Sequence, residues 1–226
     1  PEIPVGTANS WRSALTVPGE RTIDAWAISS VSVAQTHRRR GIARALVDDQ
    51  LATAASLRIP VAMLTVSESS IYGRFGFAPA AMAADWSFAT RRVRWTGPVP
   101  SGRVDMIAVD EWRERIPEIH ERARLLSTGD IAVWPGRWDE LAGLLSRDPD
   151  AKSRLRAAQY RDEAGVVRGL VLYRISGGEP DFTEHTLTVE ALDVDSADAY
   201  AALWRFVLET DLVSTVQAEL RSMDEP

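Results

Sequence analysis

The sequence predicts an α+β protein made of two units in tandem, and three observations carry that prediction. A Gly/Pro/Ser segment, Thr96-Gly97-Pro98-Val99-Pro100-Ser101-Gly102, breaks both helical and strand periodicity near mid-chain. Charge changes sign at the same place: residues 1–98 carry 11 basic and 7 acidic side chains (net +4), and residues 99–226 carry 15 and 25 (net −10). The order of elements after the segment also repeats the order before it. These place a first domain at 1–98 and a second at 99–226.

In the first domain, Trp11 to Val17 reads as a strand closed by the turn pair Pro18-Gly19. Arg21 to Ala34 is its hairpin partner. Its apolar alternation, Ile23, Ala25 and Ala27, loses phase at Ser29 and Ser30 and resumes at Val31 and Val33, the trace a bulge or a bend leaves. From Gly41 to Arg58 the apolar spacing becomes helical, through Leu46, Val47, Leu51, Ala54 and Ala55. Pro60 stops the helix, and Val61 to Val66 reads as a buried strand. Ser69 begins a short helix that Gly76 ends, and strand character returns from Phe77 through Trp86 and Val93.

In the second domain, Glu111 to Leu126 and Trp138 to Leu145 read as helices. Leu155 to Arg161 and Val166 to Ile175 flank the hairpin turn Asp162-Glu163-Ala164-Gly165. Thr186 to Val194 alternates as a strand, Ser196 caps a helix through Leu208, and Leu212 to Leu220 is a last strand.

Composition excludes several classes of function. With no cysteine there is neither a disulfide framework nor a thiol nucleophile, and His37, His120 and His185 alone make a metal centre improbable. No apolar run reaches membrane-spanning length, and no signal peptide is recognisable. The expectation is a cytoplasmic protein that binds neither membrane nor nucleic acid, since a −10 half repels both. Arginine supplies every basic residue but Lys152, which fits a GC-rich bacterial coding bias.

The informative stretch runs from Val31 through His37-Arg38-Arg39-Arg40-Gly41-Ile42-Ala43 into the long helix. A strand, a basic turn and a helix N-terminus together make an anion site, because the first backbone N–H groups of a helix have no partner within it. Gly41 lets the main chain come close to a ligand, and arginine forks suit phosphate oxygens. A diphosphate is the expected ligand. Three adjacent arginines can equally be a solvated patch or a nucleic-acid contact, and the flanking strand and helix favour the anion site.

Arg38-x-x-Gly41-x-Ala43 after a strand resembles the acyl-CoA pyrophosphate loop of the GNAT superfamily of N-acetyltransferases. Ser67 and Ile71-Tyr72-Gly73-Arg74-Phe75-Gly76-Phe77 are similar to the acid-bearing segment of its Eis-like (enhanced intracellular survival) branch. That branch joins two GNAT domains to a sterol-carrier-like domain. The resemblance is strong over 20–95 and looser over 105–226, where Tyr200-Ala-Ala-Leu-Trp204-Arg-Phe206 carries it. It implies two GNAT-like domains, each a mostly antiparallel sheet with flanking helices, in a homo-oligomer that forms a hexamer.

The resemblance also implies a chemistry. An amine attacks the thioester of acetyl-CoA, without metal or acyl-enzyme, and Tyr72 protonates the departing thiolate. A phenol is protonated at neutral pH, as that step requires. Arg38, Arg39, Gly41, Ile42 and Ala43 would hold the pyrophosphate, Val31 and Val33 would pair through their main chains with the pantetheine, and Ser67 would lie near the thioester. His37 is expected in solvent, and of the eight tryptophans only Trp26 is a candidate neighbour of the substrate.

The corresponding turn of the second domain, Asp195-Ser196-Ala197-Asp198, has two carboxylates and no glycine, so that domain is expected to be structural. The acceptor is expected to be cationic: a polyamine, an aminoglycoside or a lysine side chain. Rival readings are a non-catalytic acyl-CoA sensor or assembly module, which has no use for a positioned Tyr72, and a nucleic-acid binder, which the acidic half opposes. The resemblance further implies that the chain lacks the opening strand and helices of the first domain and the third domain, whose terminal carboxylate would be the base. Glu68 is the nearest acid in sequence, with no spacing that makes it one. Binding of CoA with negligible transfer is therefore expected of residues 1–226 alone.

Overall fold

The computed structural model describes residues 3–66, 69–134, 136–223 and 225. The chain divides into two compact units, Pro1–Ala81 with Ser127–Trp134, and Met82–Leu126 with Pro135–Pro226.

The first unit holds a three-stranded sheet in the order β1 (Gly6–Val17), β2 (Arg21–Val33), β3 (Val61–Leu64). β1 and β2 form the expected hairpin, longer at its start than the apolar pattern suggested, and α1 (Ile42–Ser56) carries the chain over to β3, parallel to β2. Val47 and Ala54, seven residues apart on one helix face, are buried with Ala25, Ala27, Ile28 and Ile59. The expected bulge is present: Thr7 pairs with Ser32 and Asn9 with Ser29, so Ala8 faces two residues of β2. Ser30 takes φ 55°, and the Thr7 hydroxyl donates to the Ser30 carbonyl at 3.2 Å, holding that left-handed backbone. Residues 127–134 return to this unit, with Thr16 N–H donating to the Asp130 carbonyl at 2.8 Å and the Ser13 hydroxyl to that of Ala132 at 2.7 Å.

The second unit is a six-stranded sheet in the order β4 (Ala83–Ala89), β9 (Val213–Ser222), β8 (His185–Val194), β7 (Val167–Gly177), β6 (Leu155–Arg161), β5 (Arg103–Ile107). All neighbours are antiparallel except β8 and β9, which α4 (Ala197–Leu208) connects. Along β7, Leu170 and Leu172 pack with Trp112 and Ile116 of α2 (Val109–Leu126), near α3 (Arg137–Leu141). The alternate residues Val171 and Tyr173 pack with Leu203 and Trp204 of α4. Burial on both faces explains the nearly unbroken apolar run of β7. The duplication is plain in the crossovers, since β2–α1–β3 and β8–α4–β9 follow the same parallel plan.

Two expectations need correction. The compact units divide after Ala81 and not at 98/99, because β4 pairs with β9 and stacks Trp86 and Phe88 on Trp204. The strand expected from Phe77 to Val93 shrinks to Ala83–Ala89, and Thr90–Arg92 is a 3-10 turn. Strand β5, whose five residues lie just past the Gly/Pro segment, has no counterpart in the sequence reading. Among the described residues, no helix is long and apolar enough to cross a membrane.

Candidate active site

The site forms where β2 and β3 part. Their parallel pairing ends at Ile28↔Leu64, immediately before the bulge at Ser29–Ser30. The bulge turns β2 away, so the expected strand Val61–Val66 stops at Leu64, and Thr65 and Val66 leave the sheet. A cleft of about 260 Å³ opens between Ile28, Ser29, Ser30 and Val31 on one side and Leu64, Thr65 and Val66 on the other, with Tyr72 lining it too. Among the described residues, no strand lies beside the β3-facing edge of β2 past Ile28, an edge that includes Val31 and Val33. Its main-chain groups are available to a ligand that carries amides.

Tyr72 stands between two 3-10 turns, Ser69–Ile71 and Gly73–Phe75, where a short helix was expected, and Gly76 ends them at φ 90°. Its carbonyl accepts the Phe75 N–H at 3.0 Å, and its ring meets Phe77 edge-on at 6.1 Å. No hydrogen bond of its hydroxyl is found among the described residues. The ring is thus fixed by Phe77, leaving the phenol able to serve a ligand.

Beyond β2 the chain turns through Arg38–Gly41 into α1. Arg39 (φ 61°) and Gly41 (φ 78°) are both left-handed, and a Cβ built on Gly41 would meet no protein atom within 4 Å. Glycine is suited here by conformation, and the space beside it is open. Gly41 is the N-cap of α1, its carbonyl accepting from Ala45 N–H at 2.9 Å, and no side chain caps the helix. The first-turn N–H groups of Ile42 and Ala43 therefore face the turn without a capping oxygen. Arg38, Arg39 and Arg40 are exposed and have no ion-pair partner among the described residues. By contrast, in the second unit Arg113, Arg122, Arg168 and Arg205 all meet carboxylates. An uncapped helix end beside unpaired guanidinium groups suits a polyanion.

The second unit closes the equivalent position. The Ser196 hydroxyl caps α4 by accepting Ala199 N–H at 3.2 Å. Asp195, expected to face the helix end, turns instead to Arg122 at 2.6 Å and Arg168 at 3.8 Å. Its charge is used in packing α2 onto the sheet.

Ser67 and Glu68 lie outside the described residues. His37 is half-buried beside Thr36, whose hydroxyl lies 2.9 Å from Nδ1. Trp26 donates its indole N–H to Gln50 of α1 at 3.2 Å and does not line the cleft. Ser29, Ser30 and Thr65, which do line it, were not singled out by sequence. The phase break at Ser29–Ser30 is the signal for two of them, and by itself it marks a change of backbone and not a site.

Comparison with known proteins agrees with this geometry. Residues 4–80 and residues 131–226 each match a family described as an acetyltransferase (GNAT) domain. An uncharacterized N-acetyltransferase of Streptomyces avermitilis is 32% identical over 98% of this chain and 54% of its own length. N-acetyltransferase Eis of Mycobacterium tuberculosis is 33% identical over 94% of this chain and 52% of its own length. The crystal structure of Eis1 from Mycobacterium abscessus superposes with a TM-score of 0.83 at 32% identity, covering 98% of this chain and 55% of that one. The chain thus spans about half the length of the curated relatives it matches. With both halves matched by such domains and Eis-like relatives along nearly its whole length, the chain belongs to the GNAT family of N-acetyltransferases.

Proposed function

We propose that this protein transfers the acetyl group of acetyl-CoA to a primary amine by direct attack. The observation that carries the reading is the uncapped, arginine-flanked start of α1 beside the cleft that Tyr72 lines. The residues present fit the cosubstrate: Arg38, Arg39 and the N–H groups of Gly41, Ile42 and Ala43 hold the pyrophosphate, and the open edge at Val31 and Val33 pairs with the pantetheine amides. Acetyl-CoA supplies the activated carbonyl and a thiolate leaving group. The free amine attacks that carbonyl carbon, the tetrahedral oxyanion collapses with loss of the thiolate, Tyr72 donates a proton to the thiolate sulfur, and the attacking nitrogen releases its surplus proton to water, from which the Tyr72 phenolate is reprotonated. No metal takes part. The acceptor is a cationic amine (a polyamine, an aminoglycoside or a lysine side chain), drawn by the acidic second half. The reading extends to a homo-oligomeric, hexameric assembly in the cytoplasm, with the first unit supplying the CoA site and the second a structural partner.

The test is acetyl-CoA-dependent thiol release by the whole protein, not residues 1–226 alone, against a panel of polyamines, aminoglycosides and lysine peptides. Release with none of them, alongside retained CoA binding, would favour a sensor or assembly module. A second expectation concerns stoichiometry. Calorimetry should give one CoA per chain, because Ser196 and Asp195 close the second unit's turn. Two equivalents bound would refute that assignment.

A further inference from the structure

The second unit contains a larger groove, about 520 Å³, lined by neither the turn nor the cleft above. Its walls are the edge strand β4, through Trp86 and Phe88, together with Trp95 and, from α4, Tyr200, Trp204 and Leu208. Five of these side chains are aromatic, and the groove's volume falls in the range of small-molecule sites.

The rings meet at angles and do not stack flat. Trp86 lies 5.8 Å from Phe88 at 85° and 5.6 Å from Trp204 at 40°, and Tyr200 lies 6.2 Å from Trp204 at 59°. The faces of such rings carry negative potential and can hold a cation. Among the described residues, the only charged ones lining it are acidic, Asp85 and Glu225. Glu225 accepts from the Tyr200 hydroxyl at 3.1 Å and pairs with Arg221 at 2.8 Å. Asp85 accepts Leu220 N–H at 2.9 Å and has no cationic partner among the described residues. Burial, and then the charge of Glu225, raises the Tyr200 phenol well above its ordinary pKa, so it stays a neutral donor. Arg221, which does not line the groove, sets its guanidinium 5.7 Å over the Trp204 ring, so one of these rings already holds a cation.

We propose that this groove is a binding site for an organic cation with an apolar body, an alkyl- or arylammonium. The aromatic walls take the apolar part and the positive head, and Asp85 supplies the uncompensated charge. An anion of the same shape would meet two carboxylates and no basic lining residue. The inference does not depend on the acetyl-transfer reading.

Hexyltrimethylammonium, hexan-1-ol and hexanoate differ in head-group charge on one alkyl chain. Titrated by calorimetry, the cation should bind at one site per chain, about tenfold or more tighter than the alcohol, with hexanoate weakest. Asp85→Asn keeps the acceptor for Leu220 N–H, so the fold is not at risk. It should weaken the cation about three- to tenfold and leave the alcohol unchanged. Trp95→Leu should weaken both, with circular dichroism verifying the fold; if it does not fold, Asp85→Asn decides alone. Absence of saturable cation binding, equal affinity for the three probes, or indifference to Asp85→Asn would each overturn the proposal.

Discussion

Replacing Tyr72 by phenylalanine should leave CoA affinity unchanged and slow acetyl transfer by about 10²–10⁴, the usual worth of a general acid. The substitution removes one oxygen and keeps the ring, so the edge-on contact with Phe77 at 6.1 Å survives and the segment keeps its shape. No hydrogen bond of the phenol to a described residue is lost, so stability should change little. The loss therefore falls on the chemical step: KM for acetyl-CoA holds while kcat drops. Thiol leaving groups of lower pKa should narrow the gap between parent and variant, because they need less protonation. An unchanged kcat in the phenylalanine variant would assign the acid to another group.

The second large effect is expected from Arg38→Ala combined with Arg39→Ala. Each removes a charge-assisted contact worth about 1.5–3 kcal/mol. Together they should weaken CoA by two or more orders of magnitude, less at high salt, since both arginines are exposed. Folding should be untouched, because neither side chain has an ion-pair partner to lose among the described residues. Arg38→Lys with Arg39→Lys keeps the charge and loses the fork, so it should recover part of the affinity. Unaltered CoA affinity in the alanine variant would move the pyrophosphate elsewhere.

The candidate site is legible in the sequence where it depends on local backbone. The turn Arg38–Gly41, the helix start at Ile42 and the phase break at Ser29–Ser30 are contiguous features, and each leaves its mark within a few residues. Tyr72 was legible only through its neighbours' resemblance to a known segment, for nothing in a lone tyrosine announces an acid. The short helix expected around it became two 3-10 turns, because Gly73 and Gly76 leave too little helical sequence to sustain hydrogen bonds four apart.

Local signals along the chain are enough to specify the tandem α+β plan, the crossover helices and the anion-binding turn. These rest on periodicity, breakers and one left-handed glycine, all local quantities. Which sheet each strand joins is settled by long-range packing. β4 lies on the first unit's side of the Gly/Pro segment yet pairs with β9, since Trp86 and Phe88 find their burial on Trp204, more than a hundred residues away in the chain. The same holds for the cleft and the aromatic groove. Where two strands part and where rings from β4 and α4 converge depends on register and packing between distant segments, which no window of sequence contains.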